Sequence, residues 1–430
     1  MKDFKKLLSQ FVSIPSVSAD ISYKKSVERT AQWVASYARN SGLQTKIIKG
    51  FDNPIIIAKT KKNSSLKTIL IYGHYDVQPA KTSDGWKSDP FSLTEKNGRL
   101  YGRGSADNKG QILIHLYSIA DLIKQKRLGF HVIFLIEGNE ETGSPLLNKL
   151  IKKEAGNLNC HCVIISDGEL DRGNSPTFEG SFRGTVNLDI SIRTAEDDLH
   201  SGIFGGAVPN SAEELSRLIS KFHNVEKKIL VANFYDGLNL KTPKKLTKTN
   251  LKILTGTKKV FARSNEEYAR KTGLEPAIEV TGMASGYVGL GFRNSIPSRT
   301  SVKINIRSAP NQNPNILFLA LKKFLLKEIP PYVKIDIKSG GSSSGTTLEI
   351  DNEFAERARK IMRIVYKKEP TIKHSGGTLP IVNHFKEILK VPQVMIPLAN
   401  EDCGMHSASE NISLNSIKKG LSFSSKFFSL

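Results

Sequence analysis

Cysteine is scarce in this chain, which has three among its 430 residues. An odd number of cysteines cannot all pair within one chain, so the composition disfavours a disulfide-stabilised secreted fold and favours a reducing compartment. Long apolar runs are lacking as well, and residues 1–8 contain no uninterrupted apolar segment of the kind found in secretory signals. We therefore expect a cytoplasmic protein with neither a secretory signal nor a membrane span.

Acidic residues are also in short supply, since 41 Asp and Glu stand against 63 Lys and Arg, a net charge of +22. Such an excess of positive charge allows attraction to nucleic acid, anionic membranes or acidic substrates. However, the lysines lie in small scattered groups, as at residues 5–6, 61–62 and 244–245, and form no long basic block. We therefore expect a solvated basic surface with no nucleic-acid or membrane partner. A positive field that attracts acidic peptides remains an open alternative.

Short apolar runs alternate with amphipathic segments through the first part of the chain. The runs at residues 69–71 and 130–136 are apolar on both faces and too short for helices, which is typical of buried strands. Residues 108–126, by contrast, carry apolar side chains at helical spacing. Strands that alternate with helices predict an α/β fold with a mainly parallel, doubly wound sheet.

The pattern changes in the middle of the chain. Gly184–Thr194 alternates apolar and polar residues, as expected for a strand in a sheet with one solvated face. Gly340–Gly345, composed only of Gly and Ser, is interpreted as a linker. We therefore predict a first domain of residues 1–180 plus 346–430, interrupted by an inserted α+β domain of ferredoxin-like type at residues 181–345.

The stretch Thr68–Pro79 carries the first candidate site residues. Its apolar strand ends near Gly73 and is followed by His74 and Asp76. Side chains at i and i+2 of an extended chain lie on one face, so Asp76 is placed to orient the ring of a metal-bound His74 through its second nitrogen. Alone, this pair is a weak signal of a metal site.

Further candidate ligands follow other predicted strands or precede a helix. Glu140 and Glu141 come after the strand at 130–136, Asp167 after the strand at 163–165, and His406 after the strand at 393–396, whereas Asp107 precedes a helix. By itself Asp107 fits a helix N-cap equally well. Ligands of open α/β sheets gather beyond the carboxyl ends of the strands. Carboxylates gathered there would repel one another, and a pair of divalent cations would offset that repulsion.

The adjacent pair Glu140 and Glu141 is suited to two different tasks. One side chain can bind a metal while the other takes a proton from a metal-held water, whose pKa the metal lowers toward neutrality. Two solvated loop acids would be the ordinary interpretation of such a pair. Here an apolar strand directs both toward the edge of the predicted sheet.

Six sequence motifs lie in order along the chain, namely Gly73–Pro79, Arg103–Gly110, Glu137–Ser144, Ser166–Gly168, Leu199–Gly206 and Gly404–Ser407. In sequence and in order they resemble the motifs of the di-metal peptidases that include aminoacylase, acetylornithine deacetylase and carboxypeptidase G. The first and fifth motifs are most similar to those of the carnosine-type and non-specific cytosolic dipeptidases. The resemblance extends over nearly the whole chain.

The resemblance implies two divalent metal ions per subunit, zinc in the first instance, with manganese or cobalt as alternatives. Asp107 is expected to bridge the two ions. His74 and Asp167 are expected to complete one metal site, and Glu141 and His406 the other.

Three further expectations for the first domain follow from the same resemblance. Asp76 is expected to brace His74. Glu140 is expected to act as the general base and later as the general acid. The peptide bond between Asp107 and Asn108 is expected to be cis.

The inserted domain resembles the lid and dimerisation domain of these peptidases, which implies a homodimer. His200 matches a histidine that reaches the partner's active site and stabilises the oxyanion, and Arg307 matches an arginine that binds the free carboxylate of the substrate. Asn294 and Thr378 stand where the dipeptidases carry a substrate-contacting threonine and a serine, and both departures retain a polar side chain.

The function that the resemblance implies is hydrolysis of the peptide bond of dipeptides, by a water that Glu140 activates at the metal centre. An alternative within the same chemistry is an N-acyl amino-acid deacylase or desuccinylase. The expected partner is a small peptide substrate, and the first domain is expected to be the metal-binding catalytic domain.

Overall fold

The computed structural model describes residues 1–238 and 256–430, which form two compact units. The first unit comprises residues 1–180, 348–373 and 380–430, and the second comprises residues 181–347 and 374–379. No helix among the described residues is long and apolar enough to span a bilayer.

The helices are, in chain order, α1 Lys2–Val12, α2 Lys24–Asn40, α3 Lys109–Lys124, α4 Leu147–Lys153, α5 Ser201–Phe204, α6 Ser211–Ser220, α7 Asn265–Gly273, α8 Pro314–Glu328, α9 Glu353–Tyr366, α10 Pro380–Ile388 and α11 Leu414–Phe428. The strands are, in chain order, β1 Gln44–Ile48, β2 Ile55–Lys59, β3 Thr68–His74, β4 Thr94–Lys96, β5 Arg99–Tyr101, β6 His131–Glu137, β7 Cys162–Ile165, β8 Thr177–Phe182, β9 Gly184–Arg193, β10 Leu199–His200, β11 Ala277–Ser285, β12 Ser295–Ile296, β13 Arg299–Ser308, β14 Lys334–Ser343, β15 Thr346–Thr347, β16 Thr371–Ser375, β17 Gln393–Met395 and β18 Asn411–Ser413.

The first unit is built on a six-stranded sheet in the order β1-β2-β6-β3-β7-β17. The four strands β6, β3, β7 and β17 run parallel, whereas β1 and β2 are antiparallel to their neighbours. Parallel strands are buried on both faces because helices cover them, which explains why these strands are mostly apolar between their ends. The predicted mainly parallel α/β fold is therefore confirmed.

Strand β3 shows that helices cover both faces of this sheet. Ile69 and Ile71 are fully buried in the apolar core that α1, α3 and α11 share. Tyr72 points to the other face, where its ring lies 5.5 Å, centroid to centroid, from the ring of Phe385 in α10. Alternate side chains of the strand thus pack on opposite layers, as in a doubly wound sheet.

The second unit contains a four-stranded antiparallel sheet in the order β11-β13-β9-β14. Along the chain the elements follow as β9, α6, β11, β13, α8 and β14, which is the ferredoxin-like arrangement predicted. The polar–apolar alternation of β9 and β13 places one face of the sheet against α6 and α8, where Ile190, Ile304 and Leu321 are fully buried.

The predicted linker Gly340–Gly345 was wrong. Residues Gly340–Ser343 belong to β14, and Ser342 and Ser343 pair with β9. The glycines serve the strand because its register shifts between Ser339 and Ser342, where Gly341 adopts a φ of 101°. This β-bulge requires a left-handed backbone conformation that only glycine adopts easily.

Candidate metal centre

Three chain segments of the first unit place candidate ligands at the carboxyl end of its sheet. His74 is the last residue of β3, Asp167 lies two residues after β7, and Asp107 lies two residues before α3. His74 Nε2 lies 3.1 Å from Asp107 Oδ1 and 3.6 Å from Asp167 Oδ2. One imidazole and two carboxylates therefore form a cluster that could hold a metal ion.

A second cluster shares Asp107 with the first. His406 Nε2 lies 3.0 Å from Asp107 Oδ2 and 3.3 Å from Glu141 Oε2. In each cluster the candidate ligand atoms lie within 4.8 Å of one another. The two oxygens of Asp107 thus face two different histidines, which is the geometry that a bridging carboxylate requires.

Asp107 does not cap helix α3, although the sequence allowed that interpretation. The N-cap of α3 is Asn108, and the peptide bond between Asp107 and Asn108 is cis, as the resemblance implied. The Asn108 amide donates to the carbonyl of Ser166 at 2.7 Å, and its Oδ1 accepts from the backbone N–H of His74 at 3.4 Å. Asn108 therefore connects the ends of β3 and β7, next to the ligands that they carry.

Asp76 contacts both the ligand His74 and the loop that carries Glu140 and Glu141. Its Oδ1 lies 3.3 Å from His74 Nδ1 and accepts from the backbone N–H of Glu140 at 3.3 Å. Its Oδ2 accepts from the Ser18 hydroxyl at 2.7 Å and from the backbone N–H of Glu141 at 3.1 Å. The buried Asp76 carboxylate can thus orient the histidine ring and hold the glutamate loop at the same time.

Gln78 and Glu410 support the clusters, and the sequence analysis assigned a role to neither. Gln78 donates to both oxygens of Glu141, from its backbone N–H at 3.1 Å and from its side-chain amide at 2.7 Å. The buried Glu410 accepts from the Arg103 guanidinium at 2.7 Å and from the backbone N–H groups of residues 104, 106 and 107 at 2.9–3.0 Å. Glu410 thereby fixes the loop that presents Asp107.

The charged groups in the two clusters strongly shift one another's pKa values. Burial alone would lower the pKa of His74, but its hydrogen bonds with Asp107, Asp167 and Asp76 raise that pKa well above its usual value. Hydrogen bonds with Asp107 and Glu141 raise the pKa of His406 to about 10. The carboxylates therefore favour positive charge at this edge of the sheet, which is the electrostatic environment expected where divalent cations bind.

Glu140 lies beside the clusters without belonging to either. Its Oε2 is 4.0 Å from His74 Nε2, and its side chain is largely buried. Burial raises the pKa of Glu140 well above its usual value, and the neighbouring charges of Asp167, Asp107 and Glu141 raise it further. Glu140 is thus a carboxyl group that can hold a proton close to the ligands.

The predicted residues of the second unit form two separate pairs. His200 on β10 lies next to Asn294, because β10 pairs with β12 and the backbone N–H of Ser201 donates to the Asn294 carbonyl at 3.1 Å. His200 is exposed and its Nδ1 accepts from the backbone N–H of Gly202 at 3.0 Å. The other pair is in direct contact, since Arg307 Nη1 donates to Thr378 Oγ1 at 3.1 Å.

Comparison with known proteins gives consistent results. Residues 70–429 match Peptidase family M20/M25/M40. The chain is 30% identical to the Cys-Gly metallodipeptidase dug1 of Schizosaccharomyces pombe, over 97% of this chain and 93% of the relative. It is 28% identical to the Beta-Ala-His dipeptidase of Homo sapiens, over 87% of this chain and 77% of the relative.

Among solved structures, an M20 family metallo-carboxypeptidase, Sso-CP2 from Sulfolobus solfataricus, superposes with a TM-score of 0.86. It is 27% identical, and the match covers 100% of this chain and 99% of that one. The resemblance to the di-metal peptidases, and to their dipeptidase branch, is therefore confirmed by sequence and by fold. The chain belongs to Peptidase family M20/M25/M40.

Proposed function

We propose that the protein is a metal-dependent dipeptidase that holds two divalent cations. The observation that carries this proposal is the arrangement of Asp107, whose two oxygens face His74 and His406 at 3.1 and 3.0 Å. The names of the relatives support the substrate class, since two of them are dipeptidases that act on Cys-Gly and Beta-Ala-His.

The donor set fits the proposed ions. Each cluster combines an imidazole nitrogen with carboxylate oxygens, which suits zinc, with manganese or cobalt as alternatives. His74, Asp107 and Asp167 would hold one ion, and Asp107, Glu141 and His406 the other. When bound, the ions lower the pKa of a coordinated water and polarise the carbonyl of the scissile bond.

Glu140 is the residue that moves the proton in this proposal. It takes a proton from the attacking water and returns it to the leaving amine. The raised pKa of Glu140 supports the second step, because it favours a carboxyl group that holds the proton until the amine accepts it. Asp76 acts through its neighbours, by fixing the ring of His74 and the backbone that carries Glu140.

The second unit carries features that support the proposed homodimer. Val288, Leu290 and Phe292 are 93%, 98% and 101% exposed, and Ile203 is 71% exposed. Ile203 lies in α5, directly after the strand of His200, and the other three lie in the loop before Asn294 and β12. Clustered apolar side chains of this size are costly in water and mark an interaction surface, which a second copy of the chain would cover. His200 would then stabilise the oxyanion in the partner's site.

Arg307, with Thr378 and Asn294, is proposed to bind the free carboxylate of the dipeptide. A guanidinium suits this task because its N–H groups match the two carboxylate oxygens. Thr378 supports the role because it accepts from Arg307 Nη1 and so helps to set the direction of the guanidinium.

A cytoplasmic location is proposed as well. The three cysteines are unpaired and buried, which fits a reducing compartment. A nucleic-acid partner is not proposed, because the basic residues form no continuous block in the sequence.

The deciding experiment is an activity panel on metal-free protein reconstituted with zinc, manganese or cobalt. We expect hydrolysis of dipeptides, with little turnover of N-acetyl or N-succinyl amino acids. Faster turnover of the acylated amino acids would favour the deacylase alternative, and release of C-terminal residues from longer peptides would favour a carboxypeptidase, the activity named for Sso-CP2. Absence of dipeptide turnover with all three metals would contradict the proposal.

A further inference from the structure

A second arginine of the inserted unit lies beside Arg307. Arg183 and Arg307 both line a cavity of about 1010 Å³ within this unit. Thr378 joins them, since its hydroxyl donates to the backbone carbonyl of Arg183 at 2.7 Å and accepts from Arg307 Nη1 at 3.1 Å. Thr378 therefore connects the backbone of Arg183 to the guanidinium of Arg307, and the two charges are close enough for Arg307 to lower the pKa of Arg183.

Arg183 is held in place by backbone carbonyls. Its Nε donates to the carbonyl of Gly376 at 3.3 Å, and its Nη1 donates to the carbonyls of Lys271 and Glu275 at 3.3 and 3.4 Å. A Cβ at position 376 would lie 2.9 Å from Arg183 Nη2, so the glycine leaves room for the guanidinium. These contacts fix the side chain and leave its positive charge without a neutralising carboxylate.

Six of the other charged residues that line the cavity pair with one another, whereas Lys227, Lys228, Lys259 and Glu279 form no ion pair among the described residues. Arg263 pairs with Glu226, Lys271 with Glu267 and Arg270 with Glu275. Within residues 1–238 and 256–430, neither Arg183 nor Arg307 forms an ion pair, and residues 239–255 contain no Asp or Glu.

Two like charges in this position are unfavourable until an anion binds. Burial and the neighbouring charge of Arg307 together lower the pKa of Arg183 to about 10, with Glu279 acting in the opposite direction. Both groups still remain protonated at neutral pH. One substrate carboxylate would neutralise one of the two charges, and a second carboxylate would be needed for the other.

We propose that Arg183 and Arg307 together bind two carboxylates of one substrate, namely its C-terminal carboxylate and the carboxylate of an acidic C-terminal side chain. The protein therefore prefers dipeptides that end in Asp or Glu. This inference rests on the proposed dipeptidase function and adds Arg183 as a residue that determines specificity.

The test compares Ala-Glu with its uncharged isostere Ala-Gln on the metal-loaded protein. We expect kcat/KM to be about ten- to a hundredfold higher for Ala-Glu, the range for one hydrogen bond between charged groups. Arg183→Met should bring the ratio close to one, mainly by raising KM for Ala-Glu. Arg183→Lys, which keeps the charge, should retain part of the preference. Arg263→Met is the matched control, because Arg263 lines the same cavity but is paired with Glu226, and it should leave the ratio unchanged.

Equal kcat/KM values for Ala-Glu and Ala-Gln in the unaltered protein would overturn the inference, whatever the variants do. A fall of the ratio in Arg263→Met as large as in Arg183→Met would also overturn it. Calorimetric binding of glutarate provides a readout without turnover. Failure of the dipeptidase proposal would abolish hydrolysis of both peptides, whereas glutarate binding that Arg183→Met weakens would still support the two-arginine site.

Discussion

Asp76→Asn is the substitution that most directly tests how the metal centre is held. Asparagine preserves the size of the side chain but replaces one carboxylate oxygen by an NH₂ group, which cannot accept a hydrogen bond. If the NH₂ group takes the place of Oδ1, the contacts to His74 Nδ1 and to the Glu140 N–H are lost; if it replaces Oδ2, the contact from the Glu141 N–H is lost. In either orientation the negative charge that would attract the Nδ1–H of a metal-bound His74 and so orient its ring disappears.

The size of the effect follows from these contacts. Each hydrogen bond to a charged group contributes about 1.5–3 kcal/mol. The loss of one such contact therefore predicts a metal affinity about 10- to 100-fold lower, which is also the usual range for residues that orient a metal ligand. Turnover at limiting metal should fall by a similar factor, and saturating metal should restore part of it.

The assay is a titration of metal-free protein with Zn²⁺ by calorimetry, with a competing chelator where binding is tight. Asp121→Asn is the control, since Asp121 is exposed and contacts only Gln125 through its side chain among the described hydrogen bonds. An affinity in Asp76→Asn within twofold of the unaltered protein would refute the bracing role, as would an equal loss in the control.

Three further predictions concern charge, stability and assembly. Metal affinity should rise with pH, because the proton on His406 must leave before a metal ion can bind. The pKa of His406 is raised from its usual value to about 10, so this proton stabilises the metal-free fold fully below about pH 6.5, and the stabilisation is lost as the pH rises through about 10. Thermal melts of metal-free protein that stayed flat over this range would contradict this prediction. Glu410→Ala should lower the free energy of unfolding by about 3–5 kcal/mol in urea denaturation, because Arg103 is left buried without its partner. Glu410→Gln should lower it less. Equal losses of stability in the two variants would contradict this prediction. His200→Ala should depress turnover strongly with metal content unchanged, and Phe292→Ser should shift light-scattering mass from dimer to monomer; full activity or an unaltered mass would count against the shared site.

The architecture was largely predictable because buried strands and helices have recognisable patterns of apolar residues in the local sequence. Strands such as β3 and β6 are apolar on both faces between their ends and were recognised from a few residues. Strand β11 was not predicted, since Ile278 is its single buried residue and most of its other side chains face solvent. An edge strand of this kind has no apolar periodicity to detect, and the Gly and Ser residues at the end of β14 concealed that part of the strand, although its beginning was predicted as a strand at Val333–Ile337.

The candidate ligands were predictable for a different reason, because parallel strands bring their carboxyl ends to one edge wherever they lie in the chain. The residues that hold the ligands in place could not be predicted from the sequence. Glu410 hydrogen-bonds a loop about 300 positions away, and Asn108 connects two strand ends through its side chain. Contacts of this kind depend on the completed tertiary structure, and no spacing or composition in a single sequence indicates them.

The late position of His406 and Glu410 in the chain has a consequence for biosynthesis. The ribosome makes the strands of the main sheet, the loop of Asp107 and the whole inserted unit before either residue emerges. Until the segment of His406 and Glu410 docks, the Arg103 guanidinium has no counter-ion and the loop of Asp107 has no acceptor for its backbone N–H groups. The second cluster can therefore form only after this segment has been synthesised and has docked, and a product that stops before His406 lacks one of the candidate ligands.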